Sequence, residues 1–309
     1  MSWTDGLAVD RVRVICGPTA AGKSAIAFGL ALEYGAVILS ADSRQIYRGF
    51  DIGTAKPDWS ERKTILHKGL DIAEPVERYS ASRWASQALG WIAEARAHRR
   101  AALVAGGTGF YIRALFDPLF DAPDLDEAAR ATLEGILNPM PLRELRRWCA
   151  ALDPERAHLG RYQLVRAIEI ALMTGERITA LHAADRVESV LEPAYLLVDP
   201  GPALASRIER RVDAMIDAGW LDEVRALDSH VPEGAPAWKA SGYRVMRGVA
   251  RGDLSLSSAR ERIIIETRQY AKRQRTWFRH QLGDAPVTRV NPDDPDSQAI
   301  VQRWWKESA

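Results

Sequence analysis

The sequence feature that most constrains this chain is a glycine-rich loop between a predicted strand and a predicted helix. Residues 11–16 read RVRVIC, residues 17–24 read GPTAAGKS, and a helical pattern runs from Lys23 to about Tyr34. The loop matches the phosphate-binding consensus G-x-x-x-x-G-K-[ST] in its usual strand–loop–helix setting. A chance glycine-rich turn is the alternative, and the flanking strand and helix argue against it.

The residue types of this phosphate loop (residues 17–24) suit a pyrophosphate-like anion. Glycines permit backbone angles that turn successive N–H groups inward, and the helix start adds its positive end. Lys23 supplies a cation, Thr19 a hydrogen-bond donor, and the Ser24 hydroxyl a ligand for Mg²⁺. The predicted anion-binding set is Gly17, Pro18, Thr19, Ala20, Ala21, Gly22, Lys23 and Ser24. The loop alone leaves open an ATPase, a GTPase, a small-molecule kinase or another pyrophosphate enzyme.

Short apolar segments that alternate with helical patterns predict the fold class. Strands are expected at 11–16, 36–40, 101–105 and 194–198, and a helix at 81–99. Continuous apolar strands of this kind are typical of a parallel sheet covered on both faces, so we expect a P-loop α/β core. Between 119 and 188 only helical patterns occur. We therefore predict core segments 1–118 and 189–309 around a helical insertion, 119–188; an extension of the core is the alternative.

Composition and charge exclude several classes of protein. Lys plus Arg is 42 and Asp plus Glu is 41, so bulk positive charge does not hold this chain to nucleic acid. We see no apolar run long enough to span a membrane and no signal peptide. Cys16 and Cys149 are far apart and are expected to be small buried hydrophobes in a reducing cytoplasm.

Polar residues follow the second and third predicted strands. Because ligands of parallel sheets bind beyond the carboxyl ends of the strands, Asp42 is expected near the phosphate loop. It could hold Mg²⁺ through water, act as a general base, or cap a following helix. Gly106, Gly107 and Thr108 follow the third strand, where they serve either the site or close packing. Lys56 ends another small-residue loop.

The far end of the chain carries a long basic helix. Ser258 and Glu261 fit a capping box that opens a helix to about Gln281, and residues 283–297 are expected to form a loop. Arg268, Lys272, Arg275 and Arg279 are spaced four, three and four residues apart, which places them on one helix face. We interpret this basic stripe as a track for nucleic-acid phosphates; a solvated basic face is the alternative. Candidate aromatic platforms for bases are Tyr47, Tyr162 and Trp277, although a place in the core is the favoured interpretation of Trp277.

Four segments together resemble one known family. GPTAAGKS, SADSRQIYRGFDIGTAKP, GGTGFYIRAL and TRQYAKRQRTWFR are similar to the bacterial tRNA dimethylallyltransferases of the IPP transferase family, and they lie in order between residues 17 and 279. The resemblance implies a P-loop core with a helical insertion. It also implies transfer of a dimethylallyl group from dimethylallyl pyrophosphate to the exocyclic N6 amine of the adenosine immediately 3′ of the anticodon. The tRNAs would be those reading codons that start with U; pyrophosphate would leave, assisted by Mg²⁺.

The resemblance also implies roles for individual residues. Asp42 would be the general base, working with Lys23 and Thr19. The segment RIERR at 207–211 suggests a further pyrophosphate contact at Arg211, with Arg207 as the second choice. The implied tRNA contacts are Asp42, Ser43, Arg44, Gln45, Thr108, Arg130 and Arg166. Two positions depart from the family pattern: Tyr162-Gln163 replaces a Gln-Arg pair in the insertion, and Ser241 replaces an Ile.

The predicted partners are the anticodon stem-loop of tRNA and dimethylallyl pyrophosphate, bound by a cytoplasmic monomer with no membrane contact. A small-molecule or nucleoside kinase using ATP is the alternative, and a non-catalytic RNA-binding regulator is a third class. The basic stripe argues against the kinase, because a small substrate does not need it. The phosphate loop beside an acid argues against the regulator.

Overall fold

The computed structural model describes residues 10–117, 125–184 and 191–308. Its centre is a six-stranded parallel sheet with the strand order β3-β2-β4-β1-β5-β6. The strands are β1 (Asp10–Cys16), β2 (Val37–Ser40), β3 (His67–Lys68), β4 (Ala102–Gly106), β5 (Leu191–Val198) and β6 (Val287–Val290). This architecture confirms the predicted α/β class.

Thirteen α-helices are assigned within the described residues. The first four are α1 (Lys23–Tyr34), α2 (Trp59–Thr64), α3 (Ala81–Ala97) and α4 (Gly109–Phe116). The next four are α5 (Glu127–Leu137), α6 (Leu142–Leu152), α7 (Arg161–Thr174) and α8 (Ile178–Ala184). After β5 come α9 (Leu204–Asp217), α10 (Trp220–Asp228), α11 (Tyr243–Ala250), α12 (Leu256–His280) and α13 (Ser297–Glu307).

The chain divides into two compact units. The first contains the described residues 10–117 and 191–308, which carry the whole sheet. The second contains residues 125–184, where α5–α8 enclose an apolar core that includes Leu145, Cys149 and Ile168. The predicted junctions at 118–119 and 188–189 lie outside the described residues.

The strands are continuous apolar runs because neighbouring elements bury them. Val14, Ile15 and Cys16 of β1 are fully buried, and residues of α1 and α13 pack in the same core cluster. Burial raises the pKa of the Cys16 thiol to about 12, so this thiol stays neutral and behaves as a small apolar side chain. Both cysteines are free and buried, as expected.

Two expectations for the far end of the chain are wrong. The stretch 283–297 is not all loop, because Val287–Val290 forms edge strand β6 in parallel register with β5. The sequence signal was weak, since a four-residue edge strand leaves Arg289 exposed. The long helix begins at Leu256, and the Ser255 side chain caps it by accepting a hydrogen bond from the Ser258 N–H. Ser258 therefore lies inside the first turn and is not the cap.

Candidate active site

The phosphate loop connects β1 to α1 at the carboxyl edge of the sheet. Gly17 has φ +143° and Gly22 has φ +101°, angles that L side chains rarely adopt. A Cβ on Gly17 would lie 2.2 Å from the carbonyl oxygen of Val198, so close packing against β5 also excludes a side chain there. Among the described residues, no side chain caps α1 at Gly22, which leaves its first N–H groups available to an anion.

The Lys23 ammonium lies within the loop. Its Nζ donates a 2.7 Å hydrogen bond to the carbonyl oxygen of Pro18. Burial, followed by the positive charge of Arg211, lowers the pKa of Lys23 to about 8, although Asp42 opposes the shift. Ser24, one residue on, is exposed at the helix start.

A small polar cavity of about 50 Å³ adjoins the loop. It brings together residues from the segment after β2 and from α9 and α12 with the phosphate loop and the end of β4. Its lining includes Thr19, Lys23, Ser24, Asp42, Gln45, Gly107, Arg211 and Gln274. The structure therefore places the predicted base Asp42 and the predicted contact Arg211 beside the phosphate loop.

A larger cavity of about 450 Å³ shares Thr19, Asp42 and Arg211 with the small one. One part of its wall is apolar, formed by Ile208, Val212, Met215, Trp220 and Ile263. Another part is charged, formed by Arg44, Lys239, Arg244, Glu266 and Arg273. Asp42 and Arg211 thus line both an anion-sized pocket and a pocket large enough for a substrate group.

Asp42 is held by a local turn. Its Oδ1 accepts a 2.8 Å hydrogen bond from the Arg44 N–H, which makes an Asx turn. Turns rather than a helix follow, so the helix-cap interpretation is wrong. Oδ2 accepts no hydrogen bond from the part of the chain that the structure describes. This arrangement leaves one carboxylate oxygen for a proton or a ligand.

The remaining residues of the second-strand motif are partly engaged within the protein. The Thr108 Oγ1 accepts a 3.0 Å hydrogen bond from the Ser43 N–H, which joins the ends of β2 and β4. Gln45 Nε2 donates to the carbonyl oxygens of Thr54 and Ala55, and its Oε1 accepts from the Ser40 hydroxyl. Gln45 lines the small cavity, but both its amide oxygen and its amide nitrogen already have hydrogen-bond partners within the protein.

The loop at 51–57 is fixed by Glu223 and Tyr243, which were not predicted to have a role here, and by Lys56. Glu223 accepts hydrogen bonds from the N–H groups of Asp51 and Ile52 and from the Tyr243 hydroxyl, which itself accepts from the Gly53 N–H. The Lys56 side chain is only 1% exposed and pairs with Asp51 and Asp71. Lys56 is therefore a structural cation and does not face a ligand.

Arg211 and Arg207 lie one turn apart on α9. Arg211 lines both cavities; burial lowers its pKa, and the negative charge of Asp42 opposes this. Arg207 instead pairs with Asp293, and its Nη1 is 3.3 Å from where a Cβ on Gly22 would stand. Arg211, the preferred pyrophosphate contact, therefore lines the cavities, whereas Arg207 does not.

The four residues of the basic stripe differ in their surroundings. Arg268 pairs with Glu209, and Arg275 pairs with Asp199 and the carbonyl oxygen of Gly201. Lys272 and Arg279 are exposed and make no ion pair within the described ranges. Arg273 and Gln274 line the large and the small cavity respectively, and neither was predicted to be a site residue.

Two predicted tRNA contacts lie in the helical unit. Arg130 and Arg166 both pair with the Glu169 carboxylate, which is 1% exposed. Tyr162 is 79% exposed, and Gln163 accepts a hydrogen bond from the Gly160 N–H at the start of α7. Of these side chains, Tyr162 is free to stack on a base.

The other two proposed aromatic platforms belong to the first unit. Tyr47 is 4% exposed, so its interpretation as a stacking platform is wrong. Trp277 packs closely against Gly109, where a Cβ would lie 2.1 Å from its ring. Both side chains are used in packing, which was expected for Trp277 but not for Tyr47.

The residues present fit a magnesium site of the phosphate-dependent kind. The described residues contain no cluster of three His, Cys, Asp or Glu side chains that could hold a metal alone. Mg²⁺ commonly takes one or two protein oxygens together with phosphate oxygens and waters. Ser24 and Asp42 line the same small cavity and could supply those oxygens.

The fold and this site define a P-loop α/β protein with a small polar cavity at the phosphate loop that shares lining residues with a larger cavity. The sequence profile described as IPP transferase matches residues 45–281, and one described as isopentenyl transferase matches residues 10–69. The chain belongs to the IPP transferase family, which confirms the resemblance seen in its motifs.

Similar proteins carry consistent names. A tRNA dimethylallyltransferase of Anaeromyxobacter sp. (strain K) is 41% identical over 300 residues, covering 95% of this chain and 96% of that protein. One from Bordetella parapertussis is 41% identical over 281 residues, covering 87% and 90%.

Solved structures agree in fold. The crystal structure of a tRNA delta(2)-isopentenylpyrophosphate transferase from Staphylococcus epidermidis matches with a TM-score of 0.66 and 28% identity, over 96% of this chain and 98% of that one. A eukaryotic dimethylallyltransferase acting on tRNA matches with a TM-score of 0.76 at 24% identity, covering 95% and 77%, which supports the fold alone. In the described part of the chain, every helix is too short or too polar to cross a membrane.

Proposed function

We propose that this protein transfers a dimethylallyl group from dimethylallyl pyrophosphate to the N6 amine of the tRNA adenosine immediately 3′ of the anticodon. The tRNAs would be those that read codons starting with U. One observation carries the proposal: Asp42 lines both the anion pocket of the phosphate loop and the larger cavity. The names of the relatives support the same reaction.

The reaction follows from this placement. The lone pair of the adenosine amine forms a bond to the allylic carbon of the donor, while the bond between that carbon and the pyrophosphate oxygen breaks. Asp42, with its free Oδ2, takes the proton that the amine must lose. Pyrophosphate leaves with the electron pair of the broken bond.

The phosphate loop stabilises the negative charge that develops on pyrophosphate. Lys23, Arg211 and the hydroxyl donor of Thr19 line the cavity where that charge appears. When bound, Mg²⁺ would add positive charge there, held by Ser24 and, through water, Asp42. Because these groups are already in place, little reorganisation is required as the leaving group departs.

The large cavity suits the two organic groups. Its apolar wall, with Trp220, Met215 and Val212, can hold the five-carbon chain away from water, which would otherwise attack the allylic carbon. A base inside a stacked anticodon loop is out of reach, so the adenosine must be extruded into this cavity.

The tRNA contacts fall into three proposed groups. Asp42 and Arg44 line the large cavity and would meet the nucleotide there, with Ser43, Gln45 and Thr108 beside them. Arg130 and Arg166 would contact tRNA from the helical unit, and the basic stripe of α12 would contact phosphates. Within the stripe, Lys272 and Arg279 can do so directly, whereas Arg268 and Arg275 must first give up Glu209 and Asp199. We propose that the enzyme works as a monomer in the cytoplasm, on the anticodon stem-loop.

The test is an incubation with tRNA, Mg²⁺ and either dimethylallyl pyrophosphate or ATP. The proposal predicts prenylated adenosine and pyrophosphate with the first donor, and no ADP with the second. ADP formation without alkylated tRNA would overturn it in favour of a kinase.

A further inference from the structure

The side-chain amide of Gln274 joins three parts of the site. Its Oε1 accepts a 2.8 Å hydrogen bond from the Thr19 N–H in the phosphate loop. Its Nε2 donates a 2.8 Å hydrogen bond to the Gly107 carbonyl oxygen, just after β4. The residue itself belongs to α12, the helix that carries the basic stripe.

This amide has little freedom to do anything else. Gln274 is 6% exposed, and a Cβ on Gly107 would lie 2.4 Å from its Nε2, so the helix and the β4 end are in close contact. A buried amide that uses both its acceptor and its donor fixes both partners. The backbone at Thr19 is thereby held relative to Gly107 and α12.

We propose that Gln274 is a positioning residue for pyrophosphate, acting through Thr19. The phosphate loop binds an anion only if its other N–H groups point into the cavity, and the hydrogen bond from the Thr19 N–H to Gln274 holds the loop backbone in place. Gln274 sets the orientation of the Thr19 peptide from outside the loop, while it lines the same cavity as Lys23 and Ser24. The inference rests on the proposed function, because it assigns the loop to the pyrophosphate of the donor.

The consequence is specific to one substrate. Loss of the amide leaves the Thr19 N–H unpaired and lets the loop adopt other conformations, so pyrophosphate and its ester should bind more weakly. Gln274 does not line the large cavity. The affinity for tRNA should therefore change much less than the affinity for the donor, whereas a purely structural role would weaken both together.

The test uses Gln274→Met, which keeps the length of the side chain and removes both hydrogen bonds. The matched control is Gln281→Met, at the end of the same helix, where an exposed glutamine bonds to Arg113 outside both cavities. A second variant, Gln274→Glu, keeps the acceptor for Thr19 but loses the donor to Gly107 and adds a negative charge beside the anion.

Three measurements are made on each full-length protein: the Kd for inorganic pyrophosphate by calorimetry, the KM for donor and for tRNA, and the exchange rate of the Thr19 amide by NMR. Gln274→Met should raise the Kd and the donor KM about tenfold, leave the tRNA KM within about twofold, and speed exchange at Thr19. Gln274→Glu should weaken pyrophosphate binding at least as much, and Gln281→Met should match the wild type.

Unchanged pyrophosphate binding in folded Gln274→Met, or equal losses for donor and tRNA, would overturn the inference. Because calorimetry with pyrophosphate needs no prenyl transfer, a failure of the proposed function would show instead as wild-type protein that binds pyrophosphate but does not alkylate tRNA.

Discussion

The Lys23 ammonium donates a hydrogen bond to the carbonyl oxygen of Pro18, and both residues belong to the phosphate loop. The same ammonium is expected to bind the anion that this loop holds. Burial and Arg211 lower its pKa to about 8, well below the usual lysine value. The charged form that binds pyrophosphate is therefore present below about pH 8 and is lost as the pH rises through that value.

This relationship predicts the pH dependence of pyrophosphate binding. The Kd measured by calorimetry should rise between about pH 8 and pH 10 in the wild type, because Lys23 loses its proton. Lys23→Met should bind more weakly throughout and should lack this step. The same pH profile in both proteins would show that Lys23 does not cause it.

Tyr243 is expected to stabilise the loop at 51–57. Its hydroxyl donates to Glu223 and accepts from the Gly53 N–H in a buried setting. Tyr243→Phe leaves both partners short of a hydrogen bond, so the free energy of unfolding should fall by about 1–3 kcal/mol in urea titrations. The exposed Tyr162 provides the control, because Tyr162→Phe should change the free energy of unfolding by less than about 0.5 kcal/mol. Equal effects of the two changes would contradict this account.

Gly17 and Gly29 should respond in opposite directions to alanine. Gly17 has a positive φ and faces the backbone of β5 at 2.2 Å, whereas Gly29 lies within α1 with open space around it. Gly17→Ala should cost about 2–4 kcal/mol of stability and abolish pyrophosphate binding. Gly29→Ala should stabilise the protein by about 0.5–1 kcal/mol through helix propensity. Thermal unfolding of both variants tests these two predictions. If Gly17→Ala were as stable as the wild type, the close contact between residue 17 and β5 would be refuted.

The ion pairs of α12 predict unequal roles along the basic stripe. Arg279 is exposed and makes no ion pair with any described residue, so Arg279→Ala should lower the salt dependence of tRNA binding by about 0.7–0.9 in log–log slope. Arg268→Ala should have a smaller effect because Glu209 already neutralises that charge. Glu209→Gln should tighten tRNA binding by freeing Arg268. Equal salt-dependence slopes for the wild type and the three variants would show that the basic stripe does not contact tRNA.

Sequence patterns predicted the parts of this protein that depend on local spacing. The phosphate loop, the start of α1 at Lys23, the central apolar strands and the position of Asp42 beyond β2 all follow from short consecutive segments. The carboxyl ends of parallel strands meet at one edge, so the placement of Thr108 near Asp42 followed as well.

The remaining features depend on contacts between residues far apart in the chain. Gln274 reaches Thr19, Glu223 reaches Ile52, and Asp199 neutralises Arg275, and no local pattern encodes these pairs. In the sequence, Lys56 is a cation at the end of a small-residue loop. In the structure its side chain is buried and pairs with two carboxylates, so its role is structural. Strand β6 was missed because its partner strand, rather than its own composition, decides its conformation.

The most direct test of the proposed reaction is a single-turnover assay that counts pyrophosphate and alkylated adenosine together, in the wild type and in Asp42→Asn. Asparagine can still accept from the Arg44 N–H, so the Asx turn and tRNA binding should persist. We expect one prenylated adenosine for each pyrophosphate released by the wild type, and a rate about 10²–10⁴-fold lower in Asp42→Asn at unchanged tRNA affinity. Near-normal turnover in Asp42→Asn would contradict the role of Asp42 as the base, and pyrophosphate release without alkylated adenosine would contradict prenyl transfer itself.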